Sequence, residues 1–261
     1  MSSAAFNGYT PTTLPSGDEL YGPDPYDFNF CLPLDFSRLE TDRVAIQPFI
    51  PRIHAPHYFE QVSNNPALEQ WLPFRTDSLE FYLTIAENWR REPNNILLAI
   101  IDKGRPGVGP QVPGGSFAGV IGLLHTSAPS LSTEIGPVMA FTQFQRTYVT
   151  SSAVGLLLRH CLEVPARGGL GLRRVQWKAN PLNKASIKTA TRMGFKEEGV
   201  LRWYFPLHDE KKVGHGRPLR EGDPLPNKPG RDSALLAFTC EDWEGGGRES
   251  ATVIIAPAGK A

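Results

Sequence analysis

The sequence predicts an α+β fold, in which a mixed and mostly antiparallel sheet is flanked by helices. Three observations predict it. The first half is dense in hairpin signals, the second half alternates strand, helix and strand, and the whole runs β-α-α-β-β-β-α-β-α-β-β. A chain of 261 residues that is 40% hydrophobic is long enough for one substantial core. The expected organisation is one domain over 36–243, an arm over 1–35 that is flexible or lies extended over the domain, and a disordered tail over 244–261.

Order begins near Arg38. Residues 43–49 read as a first strand stopped by Pro48 and Pro51, and a helical stretch follows at 54–62. In 77–90, Leu79, Tyr82, Leu83, Ala86 and Trp89 recur at spacings of three and four, which makes an amphipathic helix with Asp77 as its N-cap. The continuous apolar run 95–101 fits a strand buried on both faces. The Gly/Pro-rich segment 104–115 turns the chain so that 116–126 pairs back as a hairpin arm. One strand is expected at 131–140. Residues 151–162 are apolar on most faces, as in a central helix packed on a sheet. Then come a strand at 173–179, a helix at 183–193 closed by Gly194, and a strand at 195–205. Residues 206–231 lack apolar periodicity and read as a long loop or insertion. The last strand is 233–239. Thr252 to Ile255 add at most briefly to a sheet edge.

Composition excludes several functions. Lys plus Arg and Asp plus Glu both total 27, so no global field steers the protein onto nucleic acid or an anionic membrane. Cys31, Cys161 and Cys240 are an odd, scattered set that suits free thiols in a reducing compartment. No secretory leader and no apolar run of about 18 residues is visible, so a cytoplasmic location is expected. His54-x-x-His57 has helical spacing, but Pro56 lies between and no carboxylate or thiol partner is nearby, so no metal is expected.

The residues suited to chemistry fall in three segments. The first is Glu134-Ile-Gly136 with Pro137, which lacks a ladder donor and marks an edge or bulge. The second is Gln145, Arg146, Thr147, Tyr148, Val149, Thr150 and Ser151, a turn entering a helix, whose unpaired N–H groups and dipole suit a pyrophosphate. It also reads as a Ser/Thr-capped helix start. The third is Asn180-x-x-Asn183-x-x-Ser186, followed by Arg192-Met-Gly-Phe195; here helix capping is the alternative reading.

In this order and spacing the three segments resemble the RimJ/RimL-type branch of the GNAT N-acetyltransferases. The resemblance runs from about Arg38 to Trp243 and is most specific from Glu134 to Phe195. It implies the GNAT fold and an enzyme that moves an acetyl group from acetyl-CoA directly onto a primary amine, of a protein N-terminus or a small molecule. It implies that the pantetheine arm contacts Val138, Met139, Ala140 and Asn183, and that the 145–151 loop holds the phosphates. The family writes small residues where this sequence has Tyr148 and Thr150. That departure motivates a rival reading, a non-catalytic acyl-CoA-binding or interaction module.

An amine must lose a proton before attacking a thioester, and Glu134, alone on an apolar strand, is the expected base. The departing thiolate needs a donor, for which Ser186 comes first and Tyr204 second. Trp71, Phe74, Phe81 and Trp89 either line an acceptor cleft or fill core.

Overall fold

In a computed structural model that describes residues 7–10, 13–207 and 214–256, nine strands form one sheet. Strand β1 (Val44–Pro48) pairs antiparallel with β2 (Ile96–Asp102), and β2 pairs antiparallel with the long β4 (Gly115–Ser127). The two-residue β3 (Gln111–Val112) folds back on the start of β4. On its other side β4 holds β5 (Ser132–Ile135) and then β6 (Met139–Ala140). Beyond β5 lie β7 (Arg174–Ala179), β9 (Gly230–Thr239) and, at the edge, β8 (Lys196–Pro206). Among the described residues only β5 and β7 pair in parallel, and every other pairing is antiparallel.

Helix α1 (Pro51–Asn64) opens with proline at its first position, where the missing N–H costs nothing. Helix α2 (Leu79–Arg91) is tied to it by Tyr58 and Tyr82, whose rings stack at 3.9 Å. Its N-cap corrects the sequence reading. Ser78, not Asp77, caps α2, its hydroxyl accepting from the Phe81 N–H at 3.1 Å. His54 lies buried against Phe49 and Phe117, with ring centroids 5.3 and 5.0 Å away.

The expected strand 131–140 is broken into β5 and β6 by Gly136–Val138, where Pro137 brings no N–H to the ladder. Gly119 of β4 lies opposite Ala140 of β6, beyond this break, at φ +148. A Cβ there would stand 2.0 Å from the Met139 carbonyl oxygen, so only glycine permits β6 to close on β4.

Helix α3 (Tyr148–Leu162) is buried along almost its whole length. The reason lies in the tail. After the short turn α5 (Cys240–Asp242), residues 248–255 are neither disordered nor an edge strand. They form α6 (Arg248–Ile255), which packs on α3 so closely that a Cβ on Gly155 would meet Ile255 Cγ2 at 2.9 Å. Residues 257–261 lie outside the described residues. Helix α4 (Lys184–Arg192) joins β7 to β8.

The N-terminal segment, expected to be flexible or to lie as an extended arm over the domain, lies along it where it is described. Leu20 is buried, the Asn29 side chain donates to the Arg90 carbonyl at 2.9 Å, and the Cys31 N–H donates to the Pro93 carbonyl at 2.7 Å. Cys161 is core, and burial pushes its thiol up to about 12. No helix among the described residues is long and apolar enough to cross a membrane.

Candidate active site

The site starts where the sheet divides. Ser132, Thr133 and Glu134 of β5 pair with Arg174, Val175 and Gln176 of β7. Past Glu134 the chain follows β4 as β6, while Trp177, Lys178 and Ala179 pair only with Leu236, Leu235 and Ala234 of β9. A gap therefore opens between β6 and β7. The Phe141 N–H donates to the Ala118 carbonyl at 2.9 Å, so alternation turns the Ala140 N–H the other way, into the gap. The Ala140 carbonyl is taken by the Gln145 side-chain amide at 3.1 Å. Val138, Met139 and Ala140 thus stand at the lip of this gap.

Strand alternation sorts the side chains around it. Glu134 lies opposite Gln176, and Lys178 lies opposite Leu235, so Glu134, Lys178, Ser233 and Arg231 share one face of the sheet. Glu134 is buried, and its Oε2 sits 2.6 Å from Lys178 Nζ and 4.0 Å from His125 Nε2. Lys178 Nζ also donates to the Tyr204 hydroxyl oxygen at 2.6 Å, which leaves the tyrosine proton free to be given elsewhere. Burial alone would lower the Lys178 ammonium. The Glu134 charge, with hydrogen bonds to Glu134 and Tyr204, outweighs it and holds Lys178 above the ordinary lysine value.

Arg231 completes this face. It is 6% exposed, donates to the Trp71 carbonyl at 3.2 Å and lies 5.5 Å from the centre of the Phe205 ring. Burial lowers its guanidinium to about 10, against the opposing pull of Glu134 and Tyr204. Of the four aromatic residues suggested for an acceptor cleft, Trp71 borders this cluster through its backbone. Phe74 is buried and meets Trp89 edge-on at 6.3 Å, and Phe81 is exposed on α2.

Ser186 lies on the other face. Its hydroxyl oxygen accepts from Trp177 Nε1 at 3.0 Å, and Trp177 points opposite to Lys178. Asn183 caps α4, its Oδ1 accepting from the Ser186 N–H at 3.1 Å, so its amide N–H groups remain for another partner. The structure thus brings Glu134 and Tyr204 together around Lys178 and sets Ser186 across the strand from them.

The 145–151 loop delivers the chain into α3. Arg146 takes a left-handed φ of +59°, and Thr147 is the N-cap, accepting from the Val149 N–H at 3.3 Å. Two of its hydroxyls are already engaged, Thr147 with the Phe144 carbonyl at 2.6 Å and Ser151 with the Tyr148 carbonyl at 3.1 Å. Tyr148 is anchored sideways. Its hydroxyl donates to Asp102 Oδ1 at 2.6 Å, and the Arg43 guanidinium lies 4.4 Å from its ring centre. Arg105 pairs with Asp102 at 2.8 Å and reaches the Thr147 hydroxyl at 3.4 Å, so a cation stands at the helix N-terminus. Burial, with the Asp102 contact, raises the Tyr148 phenol and keeps it neutral.

Sequence reasoning missed Lys178, Arg231, Arg105 and His125. For Lys178 a signal existed: Val175, Trp177 and Ala179 alternate with Arg174, Gln176 and Lys178, so the polar set had to face away from the apolar one.

Comparison with known proteins follows from this geometry. Residues 43–196 match the family model described as the acetyltransferase (GNAT) domain, more than half of the chain. No curated protein matches the sequence. Among solved structures, a GCN5-related N-acetyltransferase from Brucella melitensis superposes with a TM-score of 0.64 at 21% identity, over 84% of this chain and 85% of that one. An acetyl transferase from Salmonella typhimurium that modifies the N-terminal serine of a 50S ribosomal subunit protein superposes with a TM-score of 0.55 at 18% identity, covering 76% and 96%. RimJ of Mycobacterium smegmatis, in complex with CoA-disulfide, gives 0.53 at 18%, covering 78% and 90%.

Proposed function

We propose, since this chain belongs to the GNAT acetyltransferase family, that it binds acetyl-CoA in the gap between β6 and β7 and transfers the acetyl group directly to a primary amine. The observation that carries this reading is the Glu134–Lys178–Tyr204 chain at the mouth of the gap, with contacts of 2.6 Å at each link. The residues fit the cofactor. Val138, Met139 and Ala140 line the lip on which pantetheine would pair as an added strand, and Asn183 retains free amide donors. The first turn of α3, with Arg105 and Arg146 beside it, suits the pyrophosphate. When bound, acetyl-CoA supplies the activated acyl group.

The chain's own residues would manage the proton. Glu134 receives it from the acceptor ammonium, and the Tyr204 hydroxyl, whose oxygen already accepts from Lys178, gives one to the departing thiolate. Ser186 is the alternative donor from the opposite face. Likeness to the Salmonella typhimurium enzyme supports a protein N-terminus as acceptor, beside small-molecule amines, and likeness to RimJ supports CoA as the carrier.

Calorimetric titration with acetyl-CoA, followed by thiol release on adding amines, tests this reading. Micromolar binding and amine-dependent release of free CoA are expected. No binding of acetyl-CoA, CoA or a longer acyl-CoA would overturn it.

A further inference from the structure

Resting on that reading, we propose that the acceptor carries a carboxylate near its amine, and that Arg231, with Ser233 beside it, anchors that carboxylate. The charges on the acceptor face motivate this. By register Arg174, Lys178, Lys196 and Arg231 lie there; Arg174 is bonded to Glu198 at 2.8 Å, Lys178 to Glu134 at 2.6 Å and Lys196 to Asp242 at 2.5 Å, which leaves Arg231 as the cation with no paired carboxylate among the described residues. Asp232 does not balance Arg231: alternation turns it to the other face, where it is bonded to Arg217 and to the Trp203 N–H.

A buried guanidinium is ordinarily paired with an anion, because an uncompensated charge away from water is costly. Arg231 has a carbonyl and a ring face instead, and its Nε is buried with no hydrogen-bond partner among the described residues. The Ser233 hydroxyl, two residues along on the same face, is likewise buried and unpartnered. Two unsatisfied polar groups aimed along one face, beside an excess positive charge, match the planar two-oxygen acceptor geometry of a carboxylate. A polyamine would bring more positive charge to a face that already has too much. Free amino acids and peptides with an acidic residue near the N-terminus both supply the required chemistry, and the test separates them.

The test compares kcat/KM by thiol release for matched acceptors: alanine against alaninamide, and the amidated tetrapeptide Ser-Glu-Ala-Ala against Ser-Gln-Ala-Ala, with spermidine as a carboxylate-free amine. The carboxylate member of at least one pair should be favoured by about 30-fold or more, and the pair that shows it names the source. In Arg231→Gln that ratio should collapse towards one, and Arg231→Lys should restore part of it; circular dichroism confirms that each variant is folded. Should the variants not fold, titration of the CoA-bound wild type with N-acetylalanine against N-acetylalaninamide, and with the N-acetylated tetrapeptide pair, decides by binding alone. Absence of a carboxylate preference in the wild type, or its survival in a folded Arg231→Gln, overturns the assignment. Failure to bind acetyl-CoA is read separately and counts against the proposed function instead.

Discussion

The Glu134–Lys178 pair makes the sharpest energetic prediction. At 2.6 Å and an effective dielectric of about 20, Coulomb's law gives roughly 6 kcal/mol of attraction before desolvation is charged against it. Both partners are largely buried, at 9% and 12% side-chain exposure, so most of the desolvation cost is incurred whether or not the partner is present. Lys178→Met leaves Glu134 with Arg231 and a histidine at 4.0 Å for company, which softens the usual penalty of a stranded charge; about 2–3 kcal/mol is expected. Glu134→Gln leaves Lys178 bonded to Tyr204 and freer to shed its proton once the Glu134 charge no longer opposes burial, which caps the loss at about 2 kcal/mol. The double variant has no buried charge to strand. Its cost should match the larger single loss, giving a coupling of about 2 kcal/mol in a double-mutant cycle. Urea unfolding at pH 7.5 measures all four proteins. Additive single losses, with coupling under about 0.5 kcal/mol, would mean that the pair is not a thermodynamic unit and would remove the physical basis for the proton path drawn through it.

Two further predictions concern stability. Burial depresses His54 to about 4, against the pull of its backbone hydrogen bond at Ile50, whereas the unfolded chain protonates near the ordinary value of about 6.5. The unfolded state therefore binds more protons between these values, so His54 contributes fully above about pH 6.5 and its contribution is lost as pH falls towards 4. Between pH 7.5 and 4.5 the wild type should lose about 2.5 kcal/mol more in urea unfolding than His54→Gln does, and parallel pH profiles would refute this. Gly155→Val should drive α6 off α3 at a cost of about 1–3 kcal/mol, with faster hydrogen exchange over 248–255; unchanged protection there would show that the contact is not tight.

Strong periodicity made most of the fold legible. The apolar run that became β2 and the amphipathic run that became α2 each carry their own evidence, because burial on both faces or on one stripe is written locally. The α6 helix was illegible for the opposite reason. Thr252, Val253, Ile254 and Ile255 are β-branched and follow three glycines, so local preference points to a strand or a loose tail. What makes them helical is remote: the bare backbone at Gly155, and Glu163, which pairs with Arg248 at 2.8 Å. In the site, Glu134 stood out as a lone charge on an apolar strand. Lys178 did not, since a lysine on the polar side of a strand looks solvated until β8 brings Tyr204 across it. Arg231 sat at the end of a segment read as loop, and β9 begins one residue before it.

The same register bears on which hydroxyl serves the sulfur. From sequence Ser186 and Tyr204 compete for one position, yet β7 separates them: Trp177 points to Ser186 and Lys178 to Tyr204. A proton accepted by Glu134 from the amine has a continuous path to Tyr204 through Lys178, with 2.6 Å at each link. No such path leads to Ser186, because the β7 backbone and the Trp177 indole lie between. Under the proposed function, transfer and return of the proton on a single face need only one acceptor entry, the Arg231 side, and the α4 face with Asn183 would be left for CoA. Ser186, with its oxygen already committed to the indole N–H and its backbone N–H to Asn183, is better placed to fix the start of α4 than to follow the reaction. On this geometry Tyr204→Phe should lower kcat with little change in acetyl-CoA affinity, whereas Ser186→Ala should act first on that affinity.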